Sequence, residues 1–540
     1  MVKITRGAVA AAAAALIAVG APGEGAARME TPYPPIEAVF HNGRIHTLEA
    51  SMPLAEAIAV GEGRIIAVGE SRAILALGGP GAARYDLGGM NVLPGLIDAH
   101  THFSGYAVGL EAIDLRGAAS REEMARLVAE YAAGAARDAW IKGRGWDQNE
   151  WRDRTFPHRS DIDEAAGGRP VLLVRVCGHA ALAGTAALER AGIGRDTPDP
   201  EGGRIVRDAS GEATGILIDT AIDLVRARLP APSPAEKRRL FAAAARHCLA
   251  AGLTGVHEMG IGSGTASIYR EMYAAGELPL KITAYYDGGA DDIDSVLAAG
   301  PRIDEAAGRF SIVGLKFFAD GSLGARSAAL LEPYSDDAGN AGILVTGPER
   351  LRERVHECHA RGFQAAVHAI GDRANRIVLD IFSGLPGAGP SADRRRHRIE
   401  HAQIVSAPDI ARFATFGVVP SMQFIHCTSD MSWALDRLGE GRLDGAYAWR
   451  SFLAAGCRIA AGSDFPVEPI DPLPGIYAAV TRAAPDGTPA GGWLPEQKLT
   501  ALEAVRAFTI DAAWAAHQEH DRGSIAEGKA ADFIVVSTDI

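Results

Sequence analysis

Cysteine is scarce and scattered. The 540-residue chain holds five, Cys177, Cys248, Cys358, Cys427 and Cys457, with no CxxC or other metal-ligand spacing. An odd, dispersed set in a chain this long is neither a disulfide framework nor a thiolate metal site, and reads as small buried hydrophobes. Positive charge is also in deficit. A net charge of −13 leaves no electrostatic footprint for nucleic acid or an anionic membrane surface. The longest arginine cluster, Arg394-Arg395-Arg396, lies just before a strand and reads as a solvated turn. The apolar N-terminal stretch Ala8 to Val19 is shorter than the roughly 20 residues a spanning helix needs. No cysteine lies near its end, which excludes a bacterial lipid anchor. What remains is a signal peptide over residues 1–27: Lys3 and Arg6, the alanine-rich core, then Gly25-Ala26-Ala27 with cleavage after Ala27. That pattern predicts export to the periplasm or the medium.

Hydrophobic content of 47% and charged content of 22% are ordinary for a globular protein, and the length calls for one large core plus an accessory domain. Glu37 to about Val92 reads as β structure, with Asn42-Gly43 and Glu62-Gly63 as hairpin signals. No barrel rhythm appears between His102 and about Pro230. Arg121 to Ala136 is a helical pattern, Val171 to Val176 a strand, and Ile193 to Gly215, rich in Gly, Pro and Asp, an ordered loop. Then an alternating pattern begins. Ser233-Pro234-Ala235-Glu236 is a capping box with proline at the first helical position, and Gly252 supplies the stop. Strands follow near 254–257, 281–286, 311–318, 364–368, 397–401, 417–421 and 458–462. With the strand that carries His100 they make eight, a (β/α)₈ TIM barrel of the α/β class.

The chemistry is placed at the strand ends. Leu93 to Phe103 is an apolar run ending in His100 and His102, which would share one face of a strand. Two neutral imidazoles side by side suit a borderline metal such as zinc. Lys316 sits inside the apolar run Ile312 to Ala319, His368 ends Ala365-Ala366-Val367, His401 ends Arg398-Ile399-Glu400, and Asp464 follows Gly462-Ser463. Each is polar at the C-terminal end of a strand, where barrel enzymes keep their chemistry.

These segments, with Thr197–Gly215 and Gly523–Val536, resemble the amidohydrolase superfamily and within it amidohydrolase family 3, the group that includes N-substituted formamide deformylases. The resemblance runs from about Glu37 to the C-terminus. It implies a barrel over residues 94–522 with an insertion at about 104–232, and a small β-sandwich made of both chain ends, 36–93 and 523–540. The chain stops at Ile540 where relatives continue for a few strands, so the resemblance implies a shortened sandwich. It further implies that Lys316 is carbamylated and bridges two divalent metal ions. His100, His102 and Asp464 would hold one, and His368 with His401 the other. A metal-activated hydroxide would attack, with Asp464 as the proton carrier. A salt-bridged Lys316 beside Asp320, with a single metal ion, is the alternative reading.

A second ring, Trp146, His179, His257, Asp320, Arg326 and His426, is expected to contact substrate or buttress the ligands. His356 and His359, around Cys358 on a charged helix, read as surface. The expected function is metal-dependent hydrolysis of an amide or another non-peptide C–N bond in a small molecule. The rivals are ester or cyclic-amide hydrolysis by the same site, and a dead barrel serving as a secreted binding protein. No nucleic-acid or membrane partner is expected, and a homo-oligomer is compatible with the sequence.

Overall fold

The computed structural model describes residues 35–230, 232–389 and 395–537. The leader expected over residues 1–27 lies outside the described residues.

Eight parallel strands carry the fold: β1 (Leu96–Thr101), β2 (Leu253–Ile261), β3 (Lys281–Asp287), β4 (Phe310–Phe318), β5 (Gln364–Ala369), β6 (Arg398–His401), β7 (Val419–Gln423) and β8 (Ala460–Gly462). They run in the order β8-β7-β6-β5-β4-β3-β2-β1. β8 returns to β1, where Asp464 N donates to His100 O at 2.8 Å and Ser463 N to Asp98 Oδ1 at 3.0 Å. Glycine is required at that seam, because a Cβ on Gly462 would lie 2.5 Å from His100 N. The strands read as continuous apolar runs because helices cover them outside. Pro234–Ala250, before β2, starts with the expected capping box of Ser233 and Glu236 and is followed by Gly252 at φ +84°. Each such cap contributes about 1 kcal/mol.

The barrel interior is polar at its centre. Arg398 reaches across from β6 and donates to Ala99 O at 2.6 Å, Ser421 Oγ at 2.7 Å, Tyr285 Oη at 3.0 Å and His257 Nδ1 at 3.0 Å. One guanidinium thereby ties β6 to β1, β2, β3 and β7.

The chain ends form a separate small sandwich. One sheet orders Arg64–Gly69, Ala57–Gly61, Ala38–His41 and Ala83–Asp86; the other orders Phe533–Val536, Asn91–Pro94, Arg44–His46 and Leu54–Ala55. Ile45, Ile58, Ile65, Leu87, Val92 and Ile525 fill the space between them. Glu62-Gly63 makes the expected hairpin, with both residues at positive φ. Asn42-Gly43 does not: its flanking strands belong to different sheets, so that turn carries the chain from one layer to the other.

The insertion is a folded unit around a six-stranded sheet, in the order Gly203–Arg207, Ala213–Asp219, Ala180–Ala183, Val171–Arg175, Ile141–Trp146, Ile113–Asp114. The span 193–215, expected to be loop, contributes a hairpin. Its Gly, Pro and Asp residues belong to the turns, where Asp208 Oδ1 accepts from Ser210 N at 2.8 Å and Glu212 N at 3.1 Å. The arginine cluster also departs from a solvated turn. Arg396 pairs with Glu519 at 2.7 Å and lies 4.4 Å over the Trp514 ring, while Arg394 is outside the described residues. Among the described residues no helix is long and apolar enough to cross a membrane.

Candidate metal centre

His100 ends the interior face of β1 that begins with Asp98. Asp98 accepts from His100 N and from Ser463 N and Oγ, which fixes the β1–β8 corner. Burial raises the Asp98 carboxyl to about 7 against those hydrogen bonds. His100 itself is fully buried. Its Nδ1 meets Glu400 Oε2 at 2.6 Å, so the carboxylate holds the proton there and leaves the Nε2 lone pair inward. Nε2 faces Lys316 Nζ at 3.3 Å and Asp464 Oδ1 at 3.6 Å. Burial first, then Lys316, lowers His100 to about 4, keeping it a neutral imidazole. His102 donates from Nδ1 to Met259 O at 3.2 Å and sets Nε2 3.2 Å from Asp464 Oδ1.

Lys316 is buried on β4 with its ammonium 5.0 Å over the Phe318 ring. Burial lowers its pKa to about 8. It forms no salt bridge with Asp320, whose carboxylate instead accepts from the backbone N–H groups of Ile370 (3.0 Å), Gly371 (2.8 Å) and Ala329 (2.8 Å). Asp320 is thus a tie between the β4 and β5 loops, its pKa raised to about 7 by burial.

His368 and His401, from β5 and β6, have ring centroids 4.5 Å apart, and the His401 ring is 4.8 Å from that of His100. Burial pushes both well below the ordinary imidazole pKa. His401 and Asp464 each adopt positive φ, 72° and 61°. That backbone costs on the order of 1 kcal/mol each and aims both side chains at one point. Donor atoms of His100, His401 and Asp464 all lie within 4.8 Å of one another. His401 Nδ1 and Asp464 Oδ1 are buried with no hydrogen-bond partner among the described residues. Burial alone would protonate Asp464, but His100, His102 and His426 hold it below the usual carboxylate range.

A cavity of about 260 Å³ opens over this cluster, bounded by His368, His401 and Asp464 from the barrel and by Arg175, Cys177 and His179 from the insertion. His179 Nδ1 is 2.6 Å from Asp219 Oδ1. Burial opposes its charge, but that carboxylate raises it to about 9. His426 stacks 6.0 Å from His401 and leaves Nε2 unpartnered.

Other members of the expected second ring lie elsewhere. Trp146 is core of the insertion: fully buried, donating to Leu173 O at 2.8 Å and packed on Trp151. An aromatic at the end of a strand fills a core as readily as a pocket. His257 points into the barrel beneath the cluster, on Arg398. Arg326 pairs with Asp336 and lines a different cavity. His359, expected on the surface, is buried with Nδ1 2.9 Å from His397 Nε2. Sequence reasoning passed over Glu400, Arg398, Asp98 and Arg175. The alternation Arg398, Glu400 on a strand that packs among apolar neighbours was the available signal, since charged residues two apart on a buried strand share one interior face.

A profile of the amidohydrolase family matches residues 84–540. YtcJ of Bacillus subtilis (strain 168) is 34% identical over 512 residues, 93% of this chain and 95% of its own. The N-substituted formamide deformylase of Arthrobacter pascens is 28% identical over 513 residues, 92% and 93% of the two chains. The crystal structure of an uncharacterized metal-dependent hydrolase from Pyrococcus horikoshii OT3 superposes with a TM-score of 0.75 at 28% identity, covering 93% of this chain and 97% of that one. Barrel, polar cluster and a family match over most of the chain agree, and this chain belongs to the amidohydrolase family.

Proposed function

We propose that the chain hydrolyses an amide or another non-peptide C–N bond of a small molecule, with a divalent metal held at the barrel mouth. The observation that supports this most directly is the meeting of His100, His401 and Asp464, the last two of which line the cavity. The donor set fits such a group. Neutral imidazoles and a carboxylate suit a borderline ion such as zinc, and two of these donors, His401 Nδ1 and Asp464 Oδ1, are buried without partners. In this reading His100, His102 and Asp464 would hold one ion and His368 and His401 a second, and Lys316, once carbamylated, would supply a further carboxylate to them. A lysine lowered to about 8 carries more free amine near neutral pH, the form that adds CO₂. Bound there, the metal supplies Lewis acidity that activates water and polarises the scissile carbonyl.

The remaining steps belong to the chain. Asp464 takes the proton of the attacking water on its carboxylate and returns it to the leaving nitrogen. His179, held as a cation by Asp219, donates from Nε2 to the carbonyl oxygen as that oxygen gains charge. Glu400 keeps the His100 proton on Nδ1.

The test is a mixed panel of N-formyl amines, N-acyl amines, cyclic amides and esters, offered to metal-loaded protein. Release of amine from an acyclic amide, lost on chelation and regained with metal, is expected. Turnover confined to esters, or none at all, overturns the reading, and turnover confined to cyclic amides overturns the choice of an acyclic substrate. The proposal includes export with removal of residues 1–27, because Lys3 and Arg6 precede the apolar core. An intact Met1 in the cytoplasmic fraction, found by N-terminal sequencing, overturns that part.

A further inference from the structure

A second cavity of about 260 Å³ adjoins the first, and Trp433 lines both. None of the proposed metal ligands reaches it. Asn149 and Arg154 come to it from the insertion, Arg326 and Asp336 from the loop after β4, and Asp436 and Arg437 from the segment after β7. Three guanidiniums therefore face two carboxylates, an excess of one positive charge.

Both carboxylates are already engaged. Arg326 clasps Asp336 through Nε at 3.1 Å and Nη2 at 2.9 Å, and Arg437 Nη1 donates to the same group. Arg154 Nη1 pairs with Asp436 at 3.1 Å. Two donors are left over. Asn149 Nδ2 and Arg437 Nε are buried and make no hydrogen bond among the described residues. Their side chains touch, with Arg437 Nη2 donating to Asn149 Oδ1 at 3.0 Å. Asn149 and Arg437 are 5% and 4% exposed. Buried donors are almost always satisfied, so unused N–H groups beside surplus positive charge call for an acceptor anion. Trp433 adds an aromatic side chain to the lining, with the Arg437 guanidinium 5.5 Å over one part of its ring.

We propose that this second cavity binds a small organic monocarboxylate. One surplus cation balances one negative charge, and a planar two-oxygen group matches planar guanidinium and amide donors. A tetrahedral dianion such as inorganic phosphate would bring a second charge that the walls do not balance. The Trp433 face suits an aromatic or alkyl acid over formate.

Calorimetric titration of full-length, metal-loaded protein with benzoate, at constant ionic strength, tests this. Saturable 1:1 binding is expected. Asn149→Asp keeps the acceptor for Arg437 Nη2 while placing a carboxylate in the cavity, so it should weaken benzoate about tenfold or more by like-charge repulsion. An unchanged melting temperature would show that the fold survives. Arg154→Gln, at the half-exposed rim, should weaken binding severalfold. Benzoate that fails to saturate, or binds Asn149→Asp as tightly as the parent, overturns the site. So does binding that survives Asn149→Asp and disappears on chelation, which would belong to the metal centre. Phosphate binding more tightly than benzoate overturns the choice of a carboxylate.

Discussion

Glu400 Oε2 lies 2.6 Å from His100 Nδ1, and water reaches neither side chain. The same carboxylate sits 2.8 Å from Arg398 Nε, so the guanidinium that ties the barrel strands also fixes the tautomer of an imidazole at the metal cluster. Burial alone would favour a neutral Glu400. Arg398 and then His100 hold it well below the ordinary carboxylate range.

Glu400→Gln should therefore be damaging twice. Metal affinity is expected to fall about 10- to 100-fold, the usual effect of removing a group that orients a metal-ligating histidine. Stability should drop by about 3–5 kcal/mol, because Arg398 is left as an uncompensated buried charge. Chelator competition and thermal melting read the two effects separately. Metal retention equal to that of the parent protein would contradict the role.

Asp464→Asn should keep the fold and most of the metal, and lose turnover by about 10²–10⁴-fold. The amide is isosteric but cannot take the water's proton. Steady-state rates on any substrate found in the panel decide it, and a parent-like rate would remove Asp464 from the reaction.

Lys316→Ala is expected to lose both metal and activity. Apo protein reconstituted without CO₂ should recover poorly until bicarbonate is added, and a short carboxylate should partly rescue the alanine variant. Electron density at Lys316 is the direct observation. A bare amine in a fully active, metal-loaded crystal would refute carbamylation.

Glu258 gives a pH test away from the metal cluster. Its buried carboxyl, hydrogen-bonded by Ser104 and Tyr269, is raised to about 7, burial being the main cause. Below about pH 4.5 both folded and unfolded states hold the proton, and the contribution to stability is fully present. Above that, the unfolded chain releases the proton first, so stability is lost as pH rises towards and through 7. Glu258→Gln should flatten the decline between pH 4.5 and 8 by up to about 3 kcal/mol. Denaturant unfolding at the two pH values measures it, and an unchanged slope would show that Glu258 is ionised in the folded protein.

The barrel was legible because most of its strands are apolar runs and the helix before β2 carries both a capping box and a glycine stop. His100 and His102 follow from alternation alone. His401 does not, since Arg398 and Glu400 take the interior face of β6 and parity would turn His401 outward; only its φ of 72° returns it. Such a turn is invisible in a strand pattern; His401 stood out only as a polar residue at the C-terminal end of its strand. Trp146 was misplaced for the opposite reason: a sequence does not say whether a bulky aromatic lines a cavity or fills a core. The insertion hairpin at 203–219 was hidden because its strands are short and its turns dominate the composition. The ion pairs that draw Arg326 and Arg437 to Asp336 leave no local trace at all.

The pairing of Phe533–Val536 with Asn91–Pro94 sets a timing constraint on the nascent chain. These strands abut just before β1, and Gly95 N donates to Asp532 O at 2.8 Å. About 430 residues separate His102 from Phe533, which at ~5–20 residues per second takes on the order of 20–90 s to synthesise. Throughout that interval His100 and His102 are present while the strand that pairs with Asn91–Pro94, just before β1, is still missing. A chain that stalls before residue 533 lacks this clasp.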